Sequence, residues 1–328
     1  MYEEYYGLTE PPFSLTPDPH YFYRSDSHSR AHELLRYGIS RREGFMVLYG
    51  DIGMGKTTLC RAVLESTDNN VHTALLLNPF LSEMDLIKAI LDDFEVMAPA
   101  EPGHPEEVQK KASTLVNKQE MINALNVFLL KNNETGGRAV VLIDEAQNIP
   151  LATLEQIRVL SNLETDKQKL LQIVLIGQMN LLDVLSAAEL RQLHQRISIK
   201  CELVPLTKEE VTDYVRHRLS IAGGSQRKVS FTPDGVNELF AYSSGVPRLI
   251  NLIADRALLA GMSMGLSRID KKAVGKAIET LQLRRKHSAQ TGDSATTTHW
   301  AKRIALTLGL SLLLASALIL VMYLNGRR

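Results

Sequence analysis

The chain contains the glycine-rich stretch Gly50-Asp51-Ile52-Gly53-Met54-Gly55-Lys56-Thr57-Thr58. The apolar run 45–49 precedes it, and residues 59–64, which have helix-forming composition, follow it. Strand, glycine-rich loop, Lys-Thr and helix in this order are typical of a P-loop, whose backbone N–H groups turn inward on a phosphate. Lys56 can reach the β- and γ-phosphates of a nucleotide, and the Thr57 hydroxyl can ligate Mg²⁺. We therefore predict that this whole stretch binds a nucleotide.

A second motif, Asp144-Glu145, ends the apolar run 139–143. A P-loop enzyme needs a carboxylate at the carboxyl end of a neighbouring strand to hold the hydration shell of Mg²⁺, and Asp144 suits this role. Glu145 can accept a hydrogen bond from the attacking water and act as the general base. An Asp-Glu pair considered alone is more often a solvated strand end, but the P-loop favours the functional interpretation.

Four further polar residues are candidates for contact with the phosphates. Gln178 follows the apolar run 173–177, where it can contact the γ-phosphate or orient the water, or can simply be a strand-end amide. Arg191 and Arg196 lie in a segment that offers an arginine to a neighbour's γ-phosphate in ring-forming ATPases, and both stay open because most surface arginines are only solvated. Arg248 lies at the start of a predicted helix in the helical unit that follows the P-loop core, and from there it can bridge to the phosphates. The candidate catalytic residues are therefore Lys56, Asp144, Glu145, Gln178, Arg191 and Arg196.

The composition limits the kinds of partner and cofactor. Lys plus Arg and Asp plus Glu number 37 each, so no global field attracts nucleic acid, although a local basic patch is not excluded. The two cysteines, Cys60 and Cys201, are far apart and provide neither metal-ligand spacing nor a disulfide framework. We predict that both are buried free thiols in a reducing compartment.

The pattern of apolar runs predicts an α/β fold. Near-continuous apolar strands alternate with helices up to residue 205, which indicates a parallel sheet buried on both faces. Beyond Thr207 only helices are predicted, and Thr207 with Glu210 forms a capping box at the first of them. The predicted units are a Pro/aromatic arm and helix (1–43), a P-loop core (44–205), a small all-α lid (206–283), a linker (284–303), a transmembrane helix (304–324) and a short tail (325–328).

The segment from Ile304 to Leu324 contains no charged residue. A helix of this length spans about 30 Å, the hydrocarbon thickness of a bilayer. The basic residues on its amino side are Arg284, Arg285, Lys286, Lys302 and Arg303, and those on its carboxyl side are Arg327 and Arg328. The positive-inside rule therefore predicts a single-pass protein with a cytoplasmic P-loop core and an outward carboxyl end.

Several motifs, taken in order, resemble the ExeA/GspA family of AAA+ ATPases. They are Tyr5-Tyr6-Gly7-Leu8, Glu10-Pro11-Pro12-Phe13, Thr16-Pro17-Asp18-Pro19, Asp144-Glu145-Ala146-Gln147-Asn148, Leu154-Glu155-Gln156-Ile157-Arg158, Leu160-Ser161-Asn162-Leu163-Glu164 and Gly177-Gln178. The resemblance covers about residues 1–283. Within it, the Gln195-Arg196-Ile197 segment also matches the family, which favours Arg196 as the arginine offered to a neighbour.

The resemblance implies a homo-oligomeric ATPase that uses ATP and Mg²⁺. It implies hydrolysis coupled to assembly or placement of a type II secretion or mannose-sensitive-haemagglutinin-like pilus complex at the bacterial inner membrane, with secretion or pilus proteins and the lipid bilayer as partners. Family members of the secretion systems continue into a periplasmic peptidoglycan-binding region, whereas this chain stops at Arg328. The resemblance therefore gives no basis for direct peptidoglycan binding by this chain.

Two other functions are alternatives. Related ATPases assist DNA transposition, but the zero net charge, the apolar segment 304–324 and the lack of an added DNA-binding domain argue against it. A nucleotide-gated scaffold with little turnover is the other alternative, and the intact Lys56, Asp144 and Glu145 argue mildly against it.

Overall fold

The computed structural model describes residues 1–68, 70–96, 117–223 and 228–283. Within these residues, five parallel strands form one sheet in the order β2-β3-β4-β1-β5. The strands are β1 (Phe45–Gly50), β2 (Val71–Leu76), β3 (Arg138–Ile143), β4 (Gln172–Gly177) and β5 (Ile197–Leu203). The P-loop core thus has the predicted parallel α/β architecture, and β4 lies between the strands that end at the P-loop and at Asp144.

Helices cover both faces of the sheet. The helices before β5 are α1 (Tyr2–Tyr6), α2 (Asp26–Arg41), α3 (Lys56–Glu65), α4 (Glu83–Asp93), α5 (Lys118–Glu134), α6 (Leu151–Leu160), α7 (Leu181–Leu185) and α8 (Arg191–His194), and all of them except α1 lie against the sheet. Alternate strand residues point to opposite faces, so Val141 and Leu175 pack under α4–α8 while Leu142 and Ile176 pack under α2 and α3. Burial on both faces explains why the strands read as continuous apolar runs. Cys60 and Cys201 are buried free thiols, as predicted.

The lid after β5 is helical but not all-α. Its helices are α9 (Lys208–Ile221), α10 (Pro233–Ser243), α11 (Pro247–Ser263) and α12 (residues 271–283), and the predicted capping box of Thr207 and Glu210 is present. Two short parallel strands, β6 (Ser230–Phe231) and β7 (Arg268–Ile269), pair with each other. The prediction that only helices follow Thr207 was therefore wrong at these two strands. Helix α12 starts at residue 271, because the Asp270 carboxylate before it accepts a hydrogen bond from the Ala273 N–H at 2.9 Å.

The Pro/aromatic arm packs into the lid rather than onto the sheet. Its buried apolar residues share one hydrophobic cluster with the lid helices; they are Tyr2, Tyr6, Leu8, Phe13 and Tyr21. The Tyr2 hydroxyl also donates to Asp255 Oδ1 at 2.6 Å, and the Thr9 N–H donates to the Ala222 carbonyl at 2.8 Å. The arm thereby forms part of the hydrophobic core of the lid.

Across the four described ranges, no helix is long and apolar enough to cross a bilayer. The predicted linker 284–303, membrane-spanning segment 304–324 and tail 325–328 lie outside those ranges.

Candidate nucleotide-binding site

The loop between β1 and α3 has the backbone geometry of a phosphate cradle. Gly53 and Gly55 have φ angles of 84° and 89°, a region that residues with a Cβ rarely adopt. A Cβ on Gly53 would also lie only 2.6 Å from the Cβ of Arg248. Helix α3 begins at Lys56 with no side-chain cap, so its first N–H groups remain available to an anion.

Lys56 is buried at the base of this loop. Its Nζ donates to the carbonyl oxygens of Gly50 at 2.8 Å and Asp51 at 2.9 Å. Burial lowers the pKa of Lys56, and the negative charges of Glu145 and Asp144 oppose that shift. The ammonium group is thus held beside the phosphate cradle by neutral carbonyl oxygens, which a phosphate oxygen can replace.

The structure brings Thr57 and Asp144 into direct contact. Thr57 Oγ1 donates to Asp144 Oδ2 at 2.5 Å, and the Glu145 N–H donates to Asp144 Oδ1 at 2.8 Å. Hydroxyl and carboxylate oxygens are the hard ligands that Mg²⁺ prefers, and this cation keeps several waters and substrate oxygens as its other ligands. The donor pair therefore fits a Mg²⁺ ion held between the P-loop and the end of β3.

Glu145 and Gln178 also meet, although they follow different strands. Glu145 has a φ of 51°, which turns the chain directly after Asp144. Glu145 Oε2 accepts hydrogen bonds from Gln178 Nε2 at 3.2 Å and from Gln147 Nε2 at 2.6 Å. Sequence reasoning assigned no role to Gln147. The available signal was an amide side chain two residues after Glu145, in the 3₁₀ turn Ala146–Asn148.

The lid contributes Arg248 to the same cavity. The Arg248 N–H donates to the Gly53 carbonyl at 3.2 Å, and the residue lies in the first turn of α11 after Pro247. Its side chain lines the cavity together with Lys56, Thr57 and Glu145. The lid is thus joined to the phosphate cradle through the backbone of Arg248, the residue that the sequence offered as a contact to the phosphates.

Arg191 and Arg196 are not brought to this cavity. They precede β5, and the pairing of Phe45 with Ile197 and of Gly50 with Leu203 places them at the opposite edge of the sheet from the P-loop. Arg196 Nη1 is fixed there by hydrogen bonds to Ser161 Oγ at 2.7 Å and Asn162 Oδ1 at 2.6 Å. Arg191 is exposed on α8. Neither arginine can act on the phosphate site of its own chain.

The arm and α2 form a wall of the cavity that sequence reasoning missed. His28 of α2 lines the cavity, and its ring bonds to the backbone of the P-loop. Arg218 of α9 donates from Nε to the Pro12 carbonyl at 2.5 Å, and its guanidinium lies 4.6 Å from the centre of the Tyr21 ring. The aromatic residues of the arm were the available signal, but they carried no indication of which surface they contact.

Comparison with known proteins agrees with this architecture. Residues 39–185 match the AAA domain family. The chain is 43% identical over 269 residues to general secretion pathway protein A of Aeromonas hydrophila, an alignment that covers 82% of this chain and 46% of that relative. The chain therefore spans less than half of the relative's length.

Two solved structures share the fold. The ORC2 protein of Aeropyrum pernix has a TM-score of 0.59 at 16% identity, over 82% of this chain and 71% of that one. A Walker-type ATPase of Pyrococcus abyssi has a TM-score of 0.57 at 14% identity, over 87% of this chain and 80% of that one. At these identities the likeness concerns the fold alone. Residues 39–185 thus match the AAA domain family, and the chain is similar to general secretion pathway protein A, as its motifs predict.

Proposed function

We propose that this chain is an ATPase that hydrolyses ATP to ADP and phosphate with Mg²⁺. The proposal is carried by one observation: Lys56, Thr57 with Asp144, and Glu145 with Gln178 line or adjoin one cavity at the carboxyl edge of the sheet. The similarity to the AAA family and to general secretion pathway protein A supports the proposal that this chain is a nucleoside triphosphatase.

The P-loop would bind the phosphates of ATP. The uncapped N–H groups of α3 and the loop glycines face the same space, and Lys56 adds a buried positive charge. Residues 50–58 would then line the phosphates, and Arg248 would contact them from the lid. A bound Mg²⁺, held by Thr57 and Asp144, would neutralise developing charge on the β- and γ-phosphates.

Glu145 and Gln178 would handle the attacking water. Glu145 accepts the proton of the water as the general base, because its carboxylate lines the cavity beside the P-loop. Gln178 orients the same water or contacts the γ-phosphate from the end of β4. The two residues are distant in sequence, yet their side chains lie 3.2 Å apart. This contact supports a common role in placing the attacking water.

A second copy of the chain would complete the site. Arg196 and Arg191 lie at the sheet edge opposite the P-loop of their own chain, as a residue offered to a neighbour must. Arg196 is the better candidate because Ser161 and Asn162 fix its guanidinium group. Hydrolysis would therefore need a homo-oligomer in which each site is shared by two subunits.

The cellular role follows from the secretion relative. The name of that relative refers to the general secretion pathway. We propose that this chain drives the assembly or placement of a type II secretion complex, or of a related pilus complex, at the bacterial inner membrane. The apolar segment 304–324 would anchor the chain, with the units 1–43, 44–205 and 206–283 in the cytoplasm and the linker 284–303 as a tether. The carboxyl end would then lie in the periplasm.

Turnover measurements on the 328-residue protein in detergent or lipid test the proposal. The wild type should release phosphate from ATP in a Mg²⁺-dependent reaction, whereas Glu145→Gln should bind ATP and lose about 10²–10⁴-fold in rate. Tight ATP binding with equal, negligible turnover in both proteins would instead establish a nucleotide-gated scaffold.

A further inference from the structure

The carboxamide of Gln147 bridges the ends of two strands. Its Nε2 donates to Glu145 Oε2 at 2.6 Å, and its Oε1 accepts from the Gln178 N–H at 3.0 Å. A backbone N–H can only donate, so the amide oxygen must face Gln178 and the amide nitrogen must face the carboxylate. One side chain therefore connects the turn after β3 to the end of β4.

The fold leaves space for this bridge. A Cβ on Gly177, the last residue of β4, would lie 2.6 Å from Gln147 Oε1, so only glycine admits the amide there without displacement. The 3₁₀ turn Ala146–Asn148 bends the chain so that the side chain of Gln147 returns to Glu145. The bridge thus depends on two local features, a tight turn and a strand end without a side chain.

The bridge determines how Glu145 is presented. Its Oε2 receives two amide N–H groups, from Gln147 and Gln178. In the part of the chain that the structure describes, Oε1 has no hydrogen-bond partner. With one oxygen held by donors, the carboxylate plane is fixed and the other oxygen remains free to accept a proton from water.

We infer that Gln147 is a positioning residue for hydrolysis, which orients the Glu145 carboxylate and couples it to Gln178. The inference rests on the proposed ATPase activity. Gln147 acts through Glu145 and need not touch ATP, so its loss should affect the chemical step and leave nucleotide binding intact. The bridge also makes the position of Glu145 depend on Gln178, because the Gln147 carboxamide bonds both to the Glu145 carboxylate and to the Gln178 backbone N–H.

Kinetics of Gln147→Met test the inference. Methionine keeps the length of the side chain but removes both hydrogen bonds. We expect kcat to fall about tenfold to a hundredfold, as for loss of a hydrogen bond to a charged group, while KM for ATP changes less than about twofold. In a Glu145→Gln background the same substitution should change the residual rate less than about twofold, because the group that it positions is gone. Gln147→Glu, which places a second carboxylate against Glu145, should lower kcat further.

Asn148→Ala is the matched control, since Asn148 lies exposed in the same turn; its kcat should stay within about twofold of wild type. Binding of a fluorescent ATP analogue shows that each variant is folded. An unchanged or increased kcat in Gln147→Met, with an active wild type, overturns the inference and leaves the ATPase proposal standing. A wild type that binds ATP without turnover overturns the proposed activity and the inference together.

Discussion

The imidazole of His28 donates from Nε2 to the backbone carbonyl of Met54 at 2.9 Å, which ties helix α2 to the P-loop. A carbonyl only accepts, so Nε2 carries the proton, and in the neutral ring Nδ1 accepts from Ser25 Oγ at 2.7 Å. A serine hydroxyl can also accept, so these two hydrogen bonds do not by themselves select the neutral ring, and burial is what favours it. Burial lowers the pKa of His28 from its ordinary value of 6.5, and Glu210 opposes that shift.

This arrangement predicts loss of stability in mild acid. Because the pKa of His28 is lower in the folded state, the unfolded state takes up a proton first as the pH falls below about 6.5. The contribution of the neutral ring to the free energy of unfolding is therefore fully present above that pH and declines below it. Urea unfolding measures the free energy of unfolding at each pH. Between pH 7.5 and 5.5, this free energy should decline less for His28→Gln than for wild type. The exposed His72 provides the control, since His72→Gln should decline as the wild type does.

Lys56→Ala should abolish productive ATP binding. The ammonium group is the buried positive charge beside the phosphate cradle, so its removal should weaken ATP binding about a hundredfold or more. Equilibrium titration with a fluorescent ATP analogue measures the change. Lys167→Ala, at an exposed lysine beside the loop before β4, should bind as the wild type does. Equal affinities of wild type and Lys56→Ala would contradict the assignment of this lysine.

Arg196→Ala should abolish turnover but be rescued by mixing. If the arginine acts on a neighbour, a Lys56→Ala subunit still offers its Arg196 to the intact P-loop of an Arg196→Ala subunit. Mixing these two inactive proteins should restore part of the activity, and wild-type activity per subunit should rise with protein concentration. Arg191→Ala is the comparison for the choice between the two arginines. A specific activity that stays flat on dilution would remove the shared site.

Tyr6→Ala should destabilise the lid strongly. Tyr6 is 1% exposed, and its hydroxyl donates to the carbonyls of Leu258 at 3.2 Å and Leu266 at 3.1 Å. Removing a buried aromatic ring should cost about 3–5 kcal/mol. Its neighbour Tyr5 is 50% exposed, and Tyr5→Ala should cost about 1 kcal/mol at most. Urea unfolding of both variants compares them directly, and equal losses would show that the arm contributes little to the lid core.

The carboxyl end should lie outside the cytoplasm. The basic residues before segment 304–324 outnumber those after it. The positive-inside rule therefore predicts that the flank on the amino side stays in the cytoplasm. An alkaline phosphatase fused after Arg328 should be active, and a green fluorescent protein at the same position should be dark. The reverse pattern, or a 328-residue chain that stays in solution without detergent, would refute the anchored topology.

The sequence by itself determined the parts of the site that are contiguous along the chain. The P-loop, the Asp144-Glu145 strand end and Gln178 are recognisable because a strand, a tight turn and a helix leave their pattern in neighbouring residues. The parallel sheet was predictable for the same reason, since strands buried on both faces must be apolar throughout. Even the position of Arg248 followed from a local motif, the glycine and proline before a helix.

Tertiary structure alone decided which of these pieces meet. The contact of Glu145 with Gln178 requires β4 to lie beside β3, and strand order depends on how whole apolar faces pack. The sequence predicted a Pro/aromatic arm, but no local pattern indicates that Tyr6 completes the lid core or that His28 supports the P-loop. The short β6–β7 pair escaped prediction because two-residue strands have no periodicity. Burial and hydrogen bonding between distant segments select these contacts, and neither is encoded in the spacing of residues along the chain.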